Sequence, residues 1–386
     1  MIRIEDKKDC CGCSACVQIC PKTCIRMSPD EEGFLYPAVD EGACIGCGLC
    51  EKVCPVINKG DERVPAAVYA VKNNDDAVRM KSSSGGVFSV LATRILDEGG
   101  VVFGARFDKE WNVVHDYIET VQDLHLFQGS RYVQSVIGDT YLKARDFLQN
   151  GRKVLFTGTA CQIAGLKRFL RKDYADLVTV DVVCHGVPSP MVWRAYLTDI
   201  AVSGKIDGVS SLDDIGGVSF RSKVSGWKTY SMEISGKTGG RYAEVYSRNL
   251  YMMGFLSNVY LRPSCYDCPS KRGRCTSDLS LGDYWGVENH HPDFADNMGV
   301  GVMISYNDSA LLPVLMQECR LIRSDYADAV KGNPCIERSV AEPRDRKDFW
   351  NEFRTDGLDA INRIVRRNAP GVLERIVNKV KRILSF

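Results

Sequence analysis

Cys10, Cys13, Cys16 and Cys20, followed by Pro21, fit the run C-x2-C-x2-C-x3-C-P, and Cys44, Cys47, Cys50 and Cys54, followed by Pro55, fit it a second time. A C-x2-C-x2-C turn wraps three thiolates around one cuboidal 4Fe-4S cluster, while the following chain carries the fourth cysteine toward the other cluster. The expected sets are therefore Cys10, Cys13, Cys16 and Cys54 for one cluster, and Cys44, Cys47, Cys50 and Cys20 for the other. Gly12, Gly46 and Gly48 suit tight loops whose backbone N–H groups point at cluster sulfur. Zinc is the alternative, but four-thiolate zinc motifs use two separated C-x2-C pairs rather than a run of four ending in Pro. Cys11 and Cys24 lie outside both runs and read as free, partly buried thiols.

Two adjacent clusters without a substrate pocket need a redox centre behind them, so the rest of the chain has to position one. Lys153–Thr157 reads as a strand, Gly158–Cys161 as a turn, Gln162–Leu170 as a helix and Leu177–Val183 as a second strand ending at Cys184-His185-Gly186. In such a βαβ unit the strands run parallel, which brings Cys161 and Cys184 to the carboxyl edge of the sheet, where open α/β folds place ligands. Cys265-x2-Cys268 would complete four thiolates there, with Cys275 in reserve; a lone C-x2-C is equally a zinc half-site or a pair of free thiols.

Ser82-Ser83-Ser84-Gly85-Gly86 opens an apolar-periodic helix over Val87–Leu96, and Val101–Ala105 reads as a buried strand. The Ser/Gly turn can offer free N–H groups to a phosphate, or serve as a plain N-cap. Asp278–Gly286 has a strand-then-turn pattern whose Trp285 could stack on a flat ring or sit in the core. His185 is a candidate proton shuttle or a locally satisfied histidine, and His290-His291 reads as part of a turn. Lys223 and Trp227 read as a solvated lysine and a packed tryptophan unless they face a substrate. The run G-x-G-x-x-G is absent, so a dinucleotide would bind by another route.

With 50 basic and 49 acidic side chains in 386 residues, the chain has no charge excess for a nucleic-acid partner and is long enough for two or three cores. Ten of its 17 cysteines precede residue 55, which divides a small front from the remainder, with 56–65 as linker. An odd cysteine count, no apolar signal core and no apolar run of about 20 residues lead us to expect a cytoplasmic protein. Near the end, apolar residues at 373, 376, 377, 380, 383 and 384 alternate with Lys and Arg. That pattern fits a helix packed on the protein or a partner, or one lying on an anionic membrane surface.

The cysteine runs together with Ser83–Phe88, Gly129–Ser135, Val154–Leu166, Val180–Pro190, Phe220–Trp227 and Leu261–Gly286 resemble the coenzyme F420 hydrogenase/dehydrogenase beta-subunit family, in its form with an N-terminal dicluster ferredoxin domain. The resemblance covers nearly all of residues 1 to about 310. It implies a mixed α+β and α/β architecture, a ferredoxin-like domain over 1–60 and an FAD and iron-sulfur domain over 61–345, which the apolar and basic pattern near the end extends by a helical tail over 346–386. It also implies a third 4Fe-4S cluster on Cys161, Cys184, Cys265 and Cys268. FAD would be surrounded by Ser84, Gly85, Gly86, Arg131, Tyr132, Ser135, Thr157, Gly158 and Thr159, with Arg131 facing a phosphate or a reduced-flavin anion. The family commonly has Lys in place of Arg131 and Pro in place of Ala160. Its members oxidise or reduce coenzyme F420, reduce chlorophyll-type tetrapyrroles, or accompany surface-polysaccharide synthesis, so the substrate stays open. Expected partners are a ferredoxin-like protein, a reduced deazaflavin or a nicotinamide. A relay subunit feeding another enzyme and a structural metal-binding scaffold are the competing classes.

Overall fold

The computed structural model describes residues 1–307 and 312–367; the apolar and basic pattern between 373 and 384 lies outside the described residues. Among the described residues thirteen strands form three sheets. β1 (Ile25–Pro29) and β2 (Leu35–Val39) pair as a hairpin, Ile25 opposite Val39. β3 (Ala67–Asn73), β4 (Val101–Phe107), β5 (Val113–Ile118), β6 (Val154–Thr159) and β7 (Leu177–Val182) join β11 (Leu279–Asp283), β12 (Gly301–Ser305) and β13 (Cys319–Arg323) in an eight-stranded sheet. Its order is β13-β3-β12-β11-β7-β6-β4-β5, and the run β4, β6, β7 and β11 is parallel, with antiparallel strands at both flanks.

The parallel strands carry unbroken apolar runs because both faces of the sheet are covered: Val101-Val102-Phe103 and Val154-Leu155-Phe156 have no solvent exposure. Thr159 and Gln162 form a reciprocal capping box that starts the helix Ala160–Leu170, while Gly86, in the left-handed region at φ +82°, starts Val87–Asp97. β6, that first helix and β7 make the expected βαβ unit, so Cys161 and Cys184 leave the sheet at the carboxyl ends of neighbouring parallel strands.

A third sheet was not foreseen. β8 (Ile215–Ser222), β9 (Ser231–Gly236) and β10 (Arg241–Val245) form an antiparallel meander. It shares a core of Trp193, Phe220, Tyr251 and Tyr260 with the helices Pro190–Val202 and Leu250–Leu256, and with Phe349 and Trp350 of Arg346–Asp356.

In the first 60 residues two one-turn helices, Ala15–Gln18 and Leu49–Lys52, each begin after a left-handed residue, Ser14 and Gly48, and each contains a motif cysteine, Cys16 and Cys50. The repeat in sequence is thus a repeat in backbone. The stretch read as a linker is tied down: Arg63 donates to the carbonyls of Gly273 and Ser277, and Glu62 pairs with Arg272 and Arg274.

Candidate functional site

All the cysteines but Cys319, which packs in the core beside Leu315, fall into three groups. Burial, then the charges of Cys10, Cys54 and Cys50, push the Cys16 thiol up to about 12, and Cys54 is raised by burial and by Cys10. Cys13 in turn feels the charges of Cys16 and Cys54, so Cys54 of the second run lies near the first, as does Cys50. Cys20, Cys44, Cys47 and Cys50 line a second hollow, joined by Cys24, whose thiol lies 3.4 Å from that of Cys20.

The third group lies around a cavity of about 50 Å³ beside β7, walled by Cys161, Cys184, Cys265 and Cys268. Burial comes first in raising the Cys184 thiol to about 12; Cys161 and Cys268 add to it and the Lys271 ammonium opposes it. The Lys271 ammonium donates to the carbonyls of Cys184 and Cys335 at 2.5 and 2.6 Å. The same cavity takes in Cys275, Cys335 and Cys11. Cys275 donates instead to the buried Asp181 carboxylate at 3.6 Å, which also accepts from Ser277 and Ser280.

Cys11, read as a free thiol, lines this cavity and feels both Cys13 of the front and Cys161, and so stands between the front and the cavity. Cysteine count was the only sequence signal for it and for Cys335. Among the described residues no group of three or more His, Cys, Asp or Glu is close enough to hold a single metal ion.

Of the residues matched to FAD, Ser135, Thr157, Gly158 and Thr159 meet around His115 and Gln162, while the Ser84–Gly86 turn packs on β3 and β12. Ser84 donates to the Val300 carbonyl, and a Cβ on Gly85 would stand 2.3 Å from the Val71 carbonyl oxygen and 2.7 Å from the Gly301 nitrogen, so this glycine answers to strand packing. Ser135 bonds His115 and Gln162, Thr157 donates to the Phe103 carbonyl, Gly158 packs on Gln162 and His115, and Thr159 caps its helix at the rim of the cysteine cavity. Arg131 lies over Phe107 and donates to the carbonyls of Leu126, Gln128 and Ser130; its Nε has no partner, and burial pulls its pKa down to about 10.

Next to the Ser/Gly turn lies a hollow of about 300 Å³, lined by Lys81, Arg221, Lys223, Arg241 and four serines, Ser82, Ser83, Ser219 and Ser222, with no carboxylate among its lining residues. Lys223 is not solvated as expected: it is buried, and its ammonium donates to the carbonyls of Arg79, Ser84 and Met298. Burial, with Arg221 and Arg79 nearby, pulls its pKa down to about 7. Arg221 is held by Asp283 and the Tyr132 hydroxyl and leaves its Nε without a partner. Trp227 is packed as expected, donating to Asp283 and stacking at 4.8 Å on Trp285.

A line of rings joins this hollow to the cysteine cavity: His185 meets Phe255 at 5.0 Å, Phe255 meets Tyr132 at 4.9 Å, and the Tyr132 hydroxyl lies 3.3 Å from Arg221. His185 is satisfied by Asn258 at 2.6 Å and has the Cys335 thiol 3.9 Å from its other nitrogen. His290 pairs with Asp328 and His291 bonds Ser324, both at turns.

Three family models match the chain. One for a 4Fe-4S dicluster domain covers residues 9–58. Two others describe the beta subunit of coenzyme F420 hydrogenase/dehydrogenase: its N-terminal part matches residues 68–140 and its C-terminal part residues 151–309, together more than half of the chain. No curated protein matches. Among solved structures, one polypeptide of the xenon-derivatized F420-reducing NiFe hydrogenase complex from Methanosarcina barkeri is 16% identical, covering 81% of this chain and 95% of that one at a TM-score of 0.46.

Proposed function

Because the chain belongs to the coenzyme F420 hydrogenase/dehydrogenase beta-subunit family, we propose that it is an iron-sulfur flavoprotein oxidoreductase with a front of 1–60, a redox domain of 61–345 and a helical tail. When bound, the clusters supply one-electron transfer and FAD supplies the exchange between hydride and single electrons. Cys10, Cys13, Cys16 and Cys54 hold one cluster, Cys44, Cys47, Cys50 and Cys20 the second, and Cys161, Cys184, Cys265 and Cys268 the third. The buried thiols would release their protons to solvent as their sulfurs bind iron. Arg221 and the serines of the cationic hollow would hold the anionic part of FAD, with Lys223 fixing the backbone around them and Arg131 supplying further positive charge nearby. Phe255 and Tyr132 separate this hollow from the cysteine cavity by two ring contacts and exclude water between them.

The observation that supports this reading most is the meeting of four thiols from separate segments around one cavity, reached from the front through Cys11 and from the cationic hollow through His185, Phe255 and Tyr132. Electrons enter from or leave to a ferredoxin-like protein, a reduced deazaflavin or a nicotinamide. Anaerobic purification tests the proposal: about 12 iron atoms and matching sulfide per chain are expected, with one releasable flavin that bleaches on addition of one of reduced F420, NADH, NADPH or reduced ferredoxin. Iron and sulfide without flavin would leave only an electron relay, and a colourless zinc protein would remove the proposal altogether.

A further inference from the structure

Arg262 has no solvent exposure at all, yet it pairs with no carboxylate among the described residues. Its Nε donates to the Cys10 carbonyl at 2.7 Å, one terminal nitrogen to the Gln134 side-chain oxygen at 2.9 Å, and the other to the Leu35 carbonyl at 2.9 Å and the Cys10 thiol at 3.4 Å. The guanidinium lies over the Tyr36 ring at 4.3 Å. Gly12 has to be glycine here, at φ +73°, since a Cβ would come within 2.5 Å of Gln134 and 2.9 Å of Arg262. Neutral acceptors satisfy the N–H groups but leave a full positive charge out of water, which is costly unless a counter-charge is present. The negative charge within contact is what the Cys10 thiol carries as a thiolate.

Resting on the cluster reading above, we propose that Arg262 is the buried counter-charge of the iron-sulfur centre held by Cys10, Cys13, Cys16 and Cys54, and sets that centre's reduction potential through its hydrogen bond to the Cys10 sulfur. A cation and an N–H donor at a ligating sulfur stabilise the more negative, reduced state, so Arg262 raises the potential. Arg262 also belongs to the redox domain, three residues before Cys265, while Cys10 and Leu35 belong to the front. The charge that docks the front is therefore the charge that tunes its inner centre. The outer hollow is lined by other cations, the Met1 ammonium and Lys22, and Cys50 accepts there from the backbone N–H of Ile2 at 3.3 Å, so Arg262 is specific to the inner set.

The test is a redox titration of the full iron-loaded chain followed by electron paramagnetic resonance, with the two front signals assigned through C13S and C47S. In R262Q the signal lost in C13S moves to lower potential and the signal lost in C47S stays in place. No shift, or an equal shift of both, overturns the proposal. Should R262Q fail to take up wild-type iron, R262K carries the test, because it keeps the charge but loses the forked contact to Cys10: the same signal moves down by less, and an unchanged signal overturns the proposal. Wild-type protein without iron and sulfide would instead defeat the cluster reading beneath it.

Discussion

His115 sits buried in β5 with its Nδ1 2.8 Å from the Ser135 hydroxyl and its Nε2 3.0 Å from the Thr157 carbonyl. A carbonyl only accepts, so Nε2 carries the proton and the Ser135 hydroxyl donates to Nδ1 while accepting from Gln162. Burial pulls the imidazole from its ordinary 6.5 down to about 4. Between those values the unfolded chain binds the extra proton, so the contribution is complete above pH 6.5 and is lost as pH falls toward 4, at no more than about 1.4 kcal/mol per pH unit. We predict that H115Q, which cannot titrate, flattens the fall in urea midpoint between pH 6.5 and 5.5; equal slopes in the two proteins would refute this. Lys223 behaves oppositely to a surface lysine: K223M strands three buried carbonyls and is expected to cost about 3 kcal/mol in chemical denaturation, whereas a loss under 0.5 kcal/mol would mean that the carbonyls find other donors. The cysteine runs were legible because iron fixes both residue type and spacing. The partners of Ser135 and Thr157 were not, because a polar side chain turned inward, to His115 from Ser135 or to the Phe103 carbonyl from Thr157, looks the same in sequence as one turned toward a ligand.

At the level of elements, the βαβ unit could be read from its apolar runs and its turn, since β6 and β7 are covered on both faces and each local preference agrees with the fold. The meander β8–β10 could not. Ile-Gly-Gly-Val-Ser-Phe-Arg-Ser alternates imperfectly, two register shifts interrupt its pairing with β9, and its stability comes from Trp193, Tyr251 and the distant Phe349. The helix Ala160–Leu170 shows how an element is shaped by what it positions. A Cβ on Gly165 would stand 2.8 Å from the Cys13 Cβ and 2.9 Å from its sulfur, so the helix can approach the inner front thiols only because that side chain is missing. Gly to Ala in an open helix gains about 1 kcal/mol. Here G165A is predicted to reverse the sign, destabilising by about 1–3 kcal/mol and displacing Cys13. The check is iron per chain after anaerobic reconstitution, with thermal melting alongside. Full iron and a raised melting point would show that the contact yields freely.

For the whole molecule, the question is what fixes the front at the distance the thiol groups require. Three buried contacts do so: Arg262 on Cys10 and Leu35, the Gln18 side-chain oxygen accepting from the backbone of Tyr141 and Leu142, and Glu32. Glu32 is buried, its backbone carbonyl accepts from Ser189 at the start of Pro190–Val202, and its carboxylate pairs with Arg346 from the far end of the described chain. Burial raises the Glu32 pKa and Arg346 opposes it, so the carboxylate depends on its partner. R346M removes that partner and leaves an uncompensated buried charge, a loss of about 3 kcal/mol. E32Q/R346M removes both charges and regains most of it, because the pair's attraction largely offsets its own desolvation. Limited proteolysis should then cut R346M between the front and β3 faster than wild type, with the double variant close to wild type. If R346M is cut no faster than wild type, the helix Arg346–Asp356 holds the front by its apolar packing on Tyr260 and the ion pair is incidental. The expected order, wild type, then the double variant, then R346M, would show that two positions more than 300 residues apart must match in charge where the front meets the rest of the chain, the pair serving to cancel a buried charge rather than to bind the front by its attraction.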